Sequence, residues 1–149
     1  MPANFPGHTR VCKQGMDMTQ KNNTARLRQE KRSLRRALSP AEQKHNSRLL
    51  SQHICRSRTY LSSKRIACYL ANDGEIDPSQ LIEHAWSMNK AVYLPVLAPF
   101  RQRLYFAPYE ADSRMKLNRF RIAEPVCHPS EWISARQLDL LLLPLVAFD

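Results

Sequence analysis

From residue 66 the chain changes its polar pattern twice within thirteen residues. Ile66-Ala67-Cys68-Tyr69-Leu70 is a short apolar run containing β-formers, of a length that suits a buried strand. Asn72-Asp73-Gly74 breaks it with three residues that each tolerate tight-turn dihedrals. Asp77-Pro78-Ser79-Gln80 then reads as a helix start, with an acidic N-cap, proline at the first helical position and glutamine at N3. Leu81, Ile82, Ala85, Trp86 and Met88 give that helix its apolar face, and it stops near Asn89-Lys90. Ala91-Val92-Tyr93-Leu94-Pro95-Val96 is a second strand, ended by its proline. Strand, helix and strand with short joins predict a parallel, right-handed βαβ unit.

Helical patterning precedes this unit. Over residues 25–38, Leu27, Leu34 and Leu38 form one apolar seam, and Arg28, Lys31 and Arg35 form a basic ridge beside it. Ser39-Pro40-Ala41-Glu42 ends that helix and caps another running to about Arg56, with Leu49, Leu50 and Ile54 turned inward. A short polar stretch, 57–64, leads into the first strand. Downstream, Leu104-Tyr105-Phe106-Ala107 is a third strand candidate. Residues 114–121 fit no single pattern, and Ile122-Ala123-Glu124-Pro125 reads as an extended loop. Pro129-Ser130-Glu131-Trp132 suits a helical turn. Residues 138–143 form a continuous apolar run of the kind buried on both faces of a parallel sheet, closed by Pro144.

These elements predict one α/β domain, a three-layer α/β/α arrangement around a mostly parallel sheet. Residues 1–20 mix Pro, Gly, Asn and Thr without periodicity and read as a disordered extension, leaving 21–149 as the domain. No run approaches the ~20 apolar residues that span a bilayer, and the first twenty residues lack the apolar core of a secretory signal. Cys12, Cys55, Cys68 and Cys127 are scattered without a C-x-x-C pair, as expected of reduced thiols in a cytoplasmic protein.

Charge divides the chain. Residues 1–65 carry 15 Lys and Arg against 3 Asp and Glu, an excess of +12, whereas residues 66–149 carry 8 against 10, a balance of −2. The basic half suits nucleic acid, an anionic surface or a polyanionic small ligand, and charge alone does not choose among them. Gly74 is the only glycine after residue 15. So few glycines suggest that a glycine-rich part of an α/β fold is not among these residues.

Zinc-protease, nucleophile-elbow, Walker and dinucleotide motifs are all absent from the sequence. His8, His45, His53, His84 and His128 are isolated, and the Cys127-His128 pair lacks the spacing of a metal site. Glu75 remains, in a connection at a strand's carboxyl end where α/β sheets bind ligands, together with the basic ridge. Glu75 is either a solvated turn residue or an acceptor for a polar heterocycle or cation. The ridge is either a solvated helix face or a phosphate site.

Five ordered pieces carry a family resemblance. They are Arg35-Arg36-Ala37-Leu38-Ser39, Tyr69-Leu70 with Asn72-Asp73-Gly74-Glu75-Ile76-Asp77, Val92-Tyr93-Leu94-Pro95-Val96, Ile122-Ala123-Glu124-Pro125, and Leu138-Asp139-Leu140 through Pro144-Leu145-Val146-Ala147-Phe148-Asp149. From about Arg26 to Asp149 the chain resembles the 5-formyltetrahydrofolate cyclo-ligase family. The resemblance implies an ATP- and Mg2+-dependent cytoplasmic enzyme, a monomer acting on small molecules, with no nucleic-acid or membrane partner. It converts 5-formyltetrahydrofolate to 5,10-methenyltetrahydrofolate by phosphoryl transfer to the formyl oxygen and ring closure. It assigns no catalytic nucleophile and no metal ligand to this chain. Glu75 matches the glutamate that binds the pterin, Leu70 a pocket-wall position, and Phe120, more loosely, an aromatic near the folate ring.

The family's Lys-x-x-x-Arg pair for ATP falls on Thr24 and Arg28, with Lys31 and Arg35 as the same spacing seven residues later. After Phe148-Asp149 the family continues into a glycine-rich loop that is not in this sequence. The resemblance therefore implies a chain cut short before that loop, with activity impaired or lost. The alternative is a basic module that binds nucleic acid or another polyanion through the +12 half.

Overall fold

The computed structural model describes residues 18–98 and 104–145, and the side chains from residue 23 onward. The first helix, α1, spans Met18–Arg36. It begins seven residues before the predicted start, so residues 18–20 are helical rather than part of a disordered extension, while 1–17 lie outside the described residues. Helix α2 spans Pro40–Cys55 and is capped as its sequence predicts. The Ser39 hydroxyl accepts from Glu42 N at 3.3 Å, and Glu42 Oε2 accepts from Ser39 N at 2.8 Å. These bonds from Ser39 hold the Glu42 carboxyl below its ordinary range.

The polar stretch after α2 is not a plain linker. Arg58–Ser62 forms a one-turn helix, α3, capped by Ser57. It is pinned by Tyr60, which is fully buried and bonds His84 Nδ1 through its hydroxyl at 2.7 Å. Lys90 Nζ sits 5.0 Å above the Tyr60 ring and donates to Ser63 O at 2.6 Å.

Strand β1 (Arg65–Ala67) is followed by helix α4 (Ser79–Ser87) and strand β2 (Ala91–Leu97). β1 and β2 pair in parallel as predicted. Helix α4 begins at Ser79, with the Asp77 carboxylate accepting from Ser79 N at 3.0 Å. It ends as Asn89 turns left-handed at φ 52°. Met88 is exposed, not part of the apolar face.

Pro95 does not end β2. Tyr109 N donates to Val92 O, so even-numbered residues of β2 face the antiparallel neighbour β3 (Leu104–Pro108), and odd-numbered ones face the other way. Pro95 is odd-numbered and lies beyond the short β1, where no ladder bond asks for its missing N–H.

Residues 115–125, unassigned or read as loop from sequence, form a hairpin of β4 (Met115–Leu117) and β5 (Ala123–Pro125). Pro129–Glu131 is the predicted helical turn. Strands β6 (Ile133–Ser134) and β7 (Leu140–Leu141) complete the main sheet, ordered β6-β3-β2-β1-β7. The class is α/β as predicted. The sheet is parallel across β2-β1-β7 and antiparallel across β2-β3-β6.

One face of the sheet is packed by α2 and α4. Ile66, Cys68, Val92 and Leu94 meet Leu81, Ile82 and Ala85 there, joined by Tyr60 and, half-buried, by Ile54, Leu140 and Leu142. Burial within this cluster pushes the Cys68 thiol up to about 12. Cys55, Cys68 and Cys127 are all free.

Three expectations about packing fail. Leu49 is 47% exposed, because α2 meets α4 through the buried stripe of Ser47 and Ser51 with Leu50 and Ile54, and Leu49 lies on the opposite side. The run 138–143 is not buried on both faces. Leu140 and Leu142 turn to the core, whereas Leu141 and Leu143 are exposed, as alternation on an edge strand dictates. The seam of Leu27, Leu34 and Leu38 is exposed as well.

Candidate functional site

The carboxyl ends of β1, β2 and β7 lie at one edge of the sheet, because these strands run parallel. From that edge the chain leaves β1 through Tyr69 and Leu70 and makes a tight turn at 72–75, closed by Glu75 N donating to Asn72 O at 3.1 Å. Asp73 and Gly74 have φ of 54° and 75°, the left-handed pair that Asp-Gly accepts most readily. A side chain on Gly74 would point at the last turn of α1, 3.7 Å from Arg35 O and 3.5 Å from Gln43 Nε2. The turn is therefore packed beneath the end of α1.

That packing decides the electrostatics. Arg35 Nε donates to Asp73 O at 3.0 Å, Nη2 donates to Asp73 Oδ2 at 3.2 Å, and Nη1 lies 3.7 Å from Glu75 Oε1. Arg36 adds a second guanidinium to the Asp73 carboxylate. The bond from Arg36, with the nearby charge of Arg35, holds the Asp73 carboxyl below its ordinary range. Glu75 Oε2 accepts from Asn72 N at 3.2 Å, so one oxygen is anchored on its own turn and the other on α1. Tyr69 braces the connection by donating to Ile76 O at 2.7 Å. Burial, and then the negative charge of Glu75, push its phenol up to about 12. Asp77 N donates to Ser47 Oγ at 3.0 Å, tying the connection to α2.

The structure thus brings together two residues that the sequence placed in separate roles, Glu75 and Arg35. Leu70 is half-buried against the core. Thr24, Arg28 and Lys31 lie on α1 at spacings of four, three and four residues ending at Arg35, so all four fall on one stripe of the helix. Thr24 and Arg28 are exposed and Lys31 is half-buried. From Thr24 to Arg35 the stripe runs about 16 Å along the axis, at 1.5 Å per residue. Phe120, 58% exposed, stands on the turn of the β4–β5 hairpin.

Sequence reasoning missed Asp73 and Arg36, because only folding brings positions 35 and 36 to position 73. It also missed Glu124, a buried carboxylate at the end of β2, for which the one available signal was an acid inside the apolar Ile-Ala-Glu-Pro stretch. Among the described residues no group of three or more His, Cys, Asp or Glu is arranged to hold a metal ion. A groove of about 550 Å³ lined by Trp86, Lys90, Tyr93, Tyr109 and Glu110 includes Ala91 at the amino end of β2, the opposite edge from Glu75. A cavity of about 150 Å³ between Tyr69, Pro78, Leu81, Ile54 and Leu142 adjoins the turn. No described helix is long and apolar enough to cross a membrane.

The Glu75 carboxylate, with Arg35 at the end of the α1 stripe, sits past the carboxyl ends of the sheet's parallel strands, the edge at which α/β folds commonly place ligand sites. The chain belongs to the 5-formyltetrahydrofolate cyclo-ligase family, whose model matches residues 20–149. It is 40% identical over 124 residues to the 5-formyltetrahydrofolate cyclo-ligase of Haemophilus influenzae, covering 83% of this chain and 66% of that protein. It is 37% identical over 119 residues to the cyclo-ligase of Escherichia coli K12, covering 79% of this chain and 65% of that protein. The chain therefore spans about two-thirds of the length of these relatives. Its fold is similar to that of the Aquifex aeolicus 5,10-methenyltetrahydrofolate synthetase, with a TM-score of 0.73 at 24% identity, over 84% of this chain and 62% of that one.

Proposed function

We propose that these residues form the folate-facing part, and one wall of the nucleotide site, of an ATP-dependent ligase that converts 5-formyltetrahydrofolate to 5,10-methenyltetrahydrofolate. The observation that carries this reading is the Glu75 carboxylate, fixed at the sheet edge by Arg35 and by Asn72 N, at the end of a basic stripe. Two lone-pair positions of Glu75 are engaged, which leaves acceptor capacity for the N–H groups of a pterin. Its negative charge also offsets the positive charge that develops on the folate as the formyl oxygen takes the γ-phosphoryl group. Ring closure by the nitrogen at position 10 then expels phosphate. No protein nucleophile takes part, so the chain's contribution is positioning and charge stabilisation.

Arg28 and Lys31, with Thr24 beside them, are assigned to the nucleotide phosphates. Arg35 is assigned instead to Glu75 and Asp73, which already occupy its guanidinium. Mg2+ fits this reading as an ion carried by the nucleotide's own phosphates with few protein ligands, since the described residues hold no carboxylate cluster. When bound it neutralises phosphate charge. The reading carries a cytoplasmic, monomeric enzyme of small-molecule substrates.

Titration of 5-formyltetrahydrofolate against the chain and against Glu75→Gln tests it, with turnover followed by methenyl absorbance. The expected result is binding that Glu75→Gln weakens at least roughly tenfold, the size of a lost hydrogen bond to a charged group. Equal affinity in the two proteins overturns the assignment. The competing polyanion module predicts a gel shift with steep salt dependence. Two of its cations, Arg35 and Arg36, are already paired with carboxylates of this chain.

A further inference from the structure

Two carboxylates compete for one guanidinium at the end of α1. Arg35 presents its Nε and Nη2 edge to Asp73, with Nε donating to the Asp73 carbonyl at 3.0 Å and Nη2 to Oδ2 at 3.2 Å. Only Nη1 points the other way, and it stops 3.7 Å short of Glu75 Oε1. That separation is an ion pair without a hydrogen bond, since charge-assisted N–H to O bonds close to about 2.7–2.9 Å. Glu75 Oε2 accepts from Asn72 N at 3.2 Å, whereas Oε1 accepts no hydrogen bond among the described residues. Arg36 shapes the competition by taking the other Asp73 oxygen, Oδ1, which leaves Oδ2 alone for Arg35.

The backbone gives Asp73 no advantage over glycine. Its φ of 54° lies in the left-handed region, which glycine adopts without the steric cost that a side chain brings. What the aspartate adds at this position is its charge. A guanidinium released from Asp73 has one other acid within reach, Glu75, and forks grip carboxylates bidentately. From 3.7 Å to a hydrogen bond the guanidinium needs to move only about 0.8 Å. At its present distance Arg35 steadies the Glu75 charge and leaves Oε1 open. Closed onto Glu75, it covers the oxygen that a ligand's N–H needs. We infer that Asp73 is a positioning residue, one that diverts Arg35 and so keeps Glu75 Oε1 free to accept from a ligand. The ligand's identity rests on the folate reading above, in which the donor is an N–H of the pterin. Asp73 touches no ligand and acts through Arg35 alone.

The test uses the whole chain, with 5-formyltetrahydrofolate and ATP titrated separately. Asp73→Gly removes the carboxylate at a backbone conformation that glycine adopts freely, so the turn survives. It is expected to weaken folate binding roughly tenfold while ATP affinity stays within about twofold. Its crystal structure is expected to show Arg35 Nη1 at about 2.9 Å from Glu75 Oε1. Asp73→Asn keeps both the turn and an oxygen for Arg35 Nη2, and is expected to bind folate more tightly than Asp73→Gly. In an Arg35→Gln background Asp73→Gly is expected to cost nothing further, because no guanidinium remains to close on Glu75. A turn merely loosened by losing Asp73 lowers affinity in both backgrounds. Wild-type folate affinity in Asp73→Gly, an unchanged Arg35–Glu75 distance, or an equal loss in the Arg35→Gln background overturns the inference and leaves the folate reading standing. A wild-type chain that binds no reduced folate overturns the folate reading instead, and the Arg35–Glu75 distance in Asp73→Gly still decides whether Asp73 holds Arg35 away.

Discussion

Arg35 Nη1 lies 3.7 Å from Glu75 Oε1, while Nε and Nη2 of the same guanidinium hold Asp73. One cation at the end of α1 therefore fixes both carboxylates of a turn nearly forty residues away. Arg35 and Glu75 are both largely buried, with side chains 17% and 20% exposed, so the contact is shielded from the screening that empties most surface pairs.

This pairing separates two cations that the sequence treats alike. Arg35→Gln is expected to weaken reduced-folate binding roughly tenfold by releasing Glu75, with little change for ATP. Arg28→Ala is expected to do the reverse. Paired titrations of the two ligands on the two variants check it, and the assignment is wrong if both variants move the same ligand.

Gly74 is held at φ 75°, yet a Cβ there meets nothing closer than 3.5 Å. The cost of Gly74→Ala is therefore one of backbone conformation, about 1 kcal/mol of stability. Gly74→Asn is expected to cost less, because asparagine tolerates the left-handed region. Urea unfolding of the two variants measures the difference.

Asp139 Oδ2 accepts from Lys64 N at 2.9 Å and Arg65 N at 2.8 Å, fastening β7 beside β1. These backbone bonds, Arg65 first, hold its carboxyl below the ordinary range. A depressed folded-state pKa stabilises at pH above the unfolded value, near ~3.9, and that contribution disappears as the pH falls through the folded value. Asp73 acts in the same sense through Arg36. Acid titration of stability is expected to fall below about pH 4, the ordinary carboxylate range. Asp139→Asn, which keeps the acceptor but not the titration, is expected to flatten part of that fall.

Leu81 is 1% exposed at the centre of the core, and Leu49 is 47% exposed on the outer side of α2. Leu81→Ala is expected to cost about 2–5 kcal/mol, cavity included. Leu49→Ala is expected to stay within about 0.5 kcal/mol. Thermal unfolding of the pair tests the packing of α2 against α4 through Ser47 and Ser51 rather than through Leu49.

Local chemistry was legible from the residues themselves. The Ser39-Pro40-Ala41-Glu42 cap, the Asn72-Asp73-Gly74 turn and the parallel β1-α4-β2 unit each rest on contacts within a few residues or on a repeating apolar face. The family resemblance likewise marked Glu75 from ordered short motifs.

What stayed illegible depended on which distant element lies alongside. Pro95 reads as a strand end until the ladder places its nitrogen beyond the end of β1. The run 138–143 reads as buried on both faces until β7 proves to be an edge strand. The β4–β5 hairpin carries a weak pattern because its strands are three residues each, and the Glu124 carboxylate that ties it to Leu97 does so across a gap in sequence that no local pattern shows.

The sequence by itself determined helix α2, the β1-α4-β2 unit, the turn that carries Glu75 and the family, since all of these are written in local order and spacing. Only the tertiary structure decided that Arg35 belongs to Glu75 and Asp73, because a guanidinium pairs with whichever carboxylate packing brings within reach. Periodicity along α1 is the same whether that carboxylate is there or not.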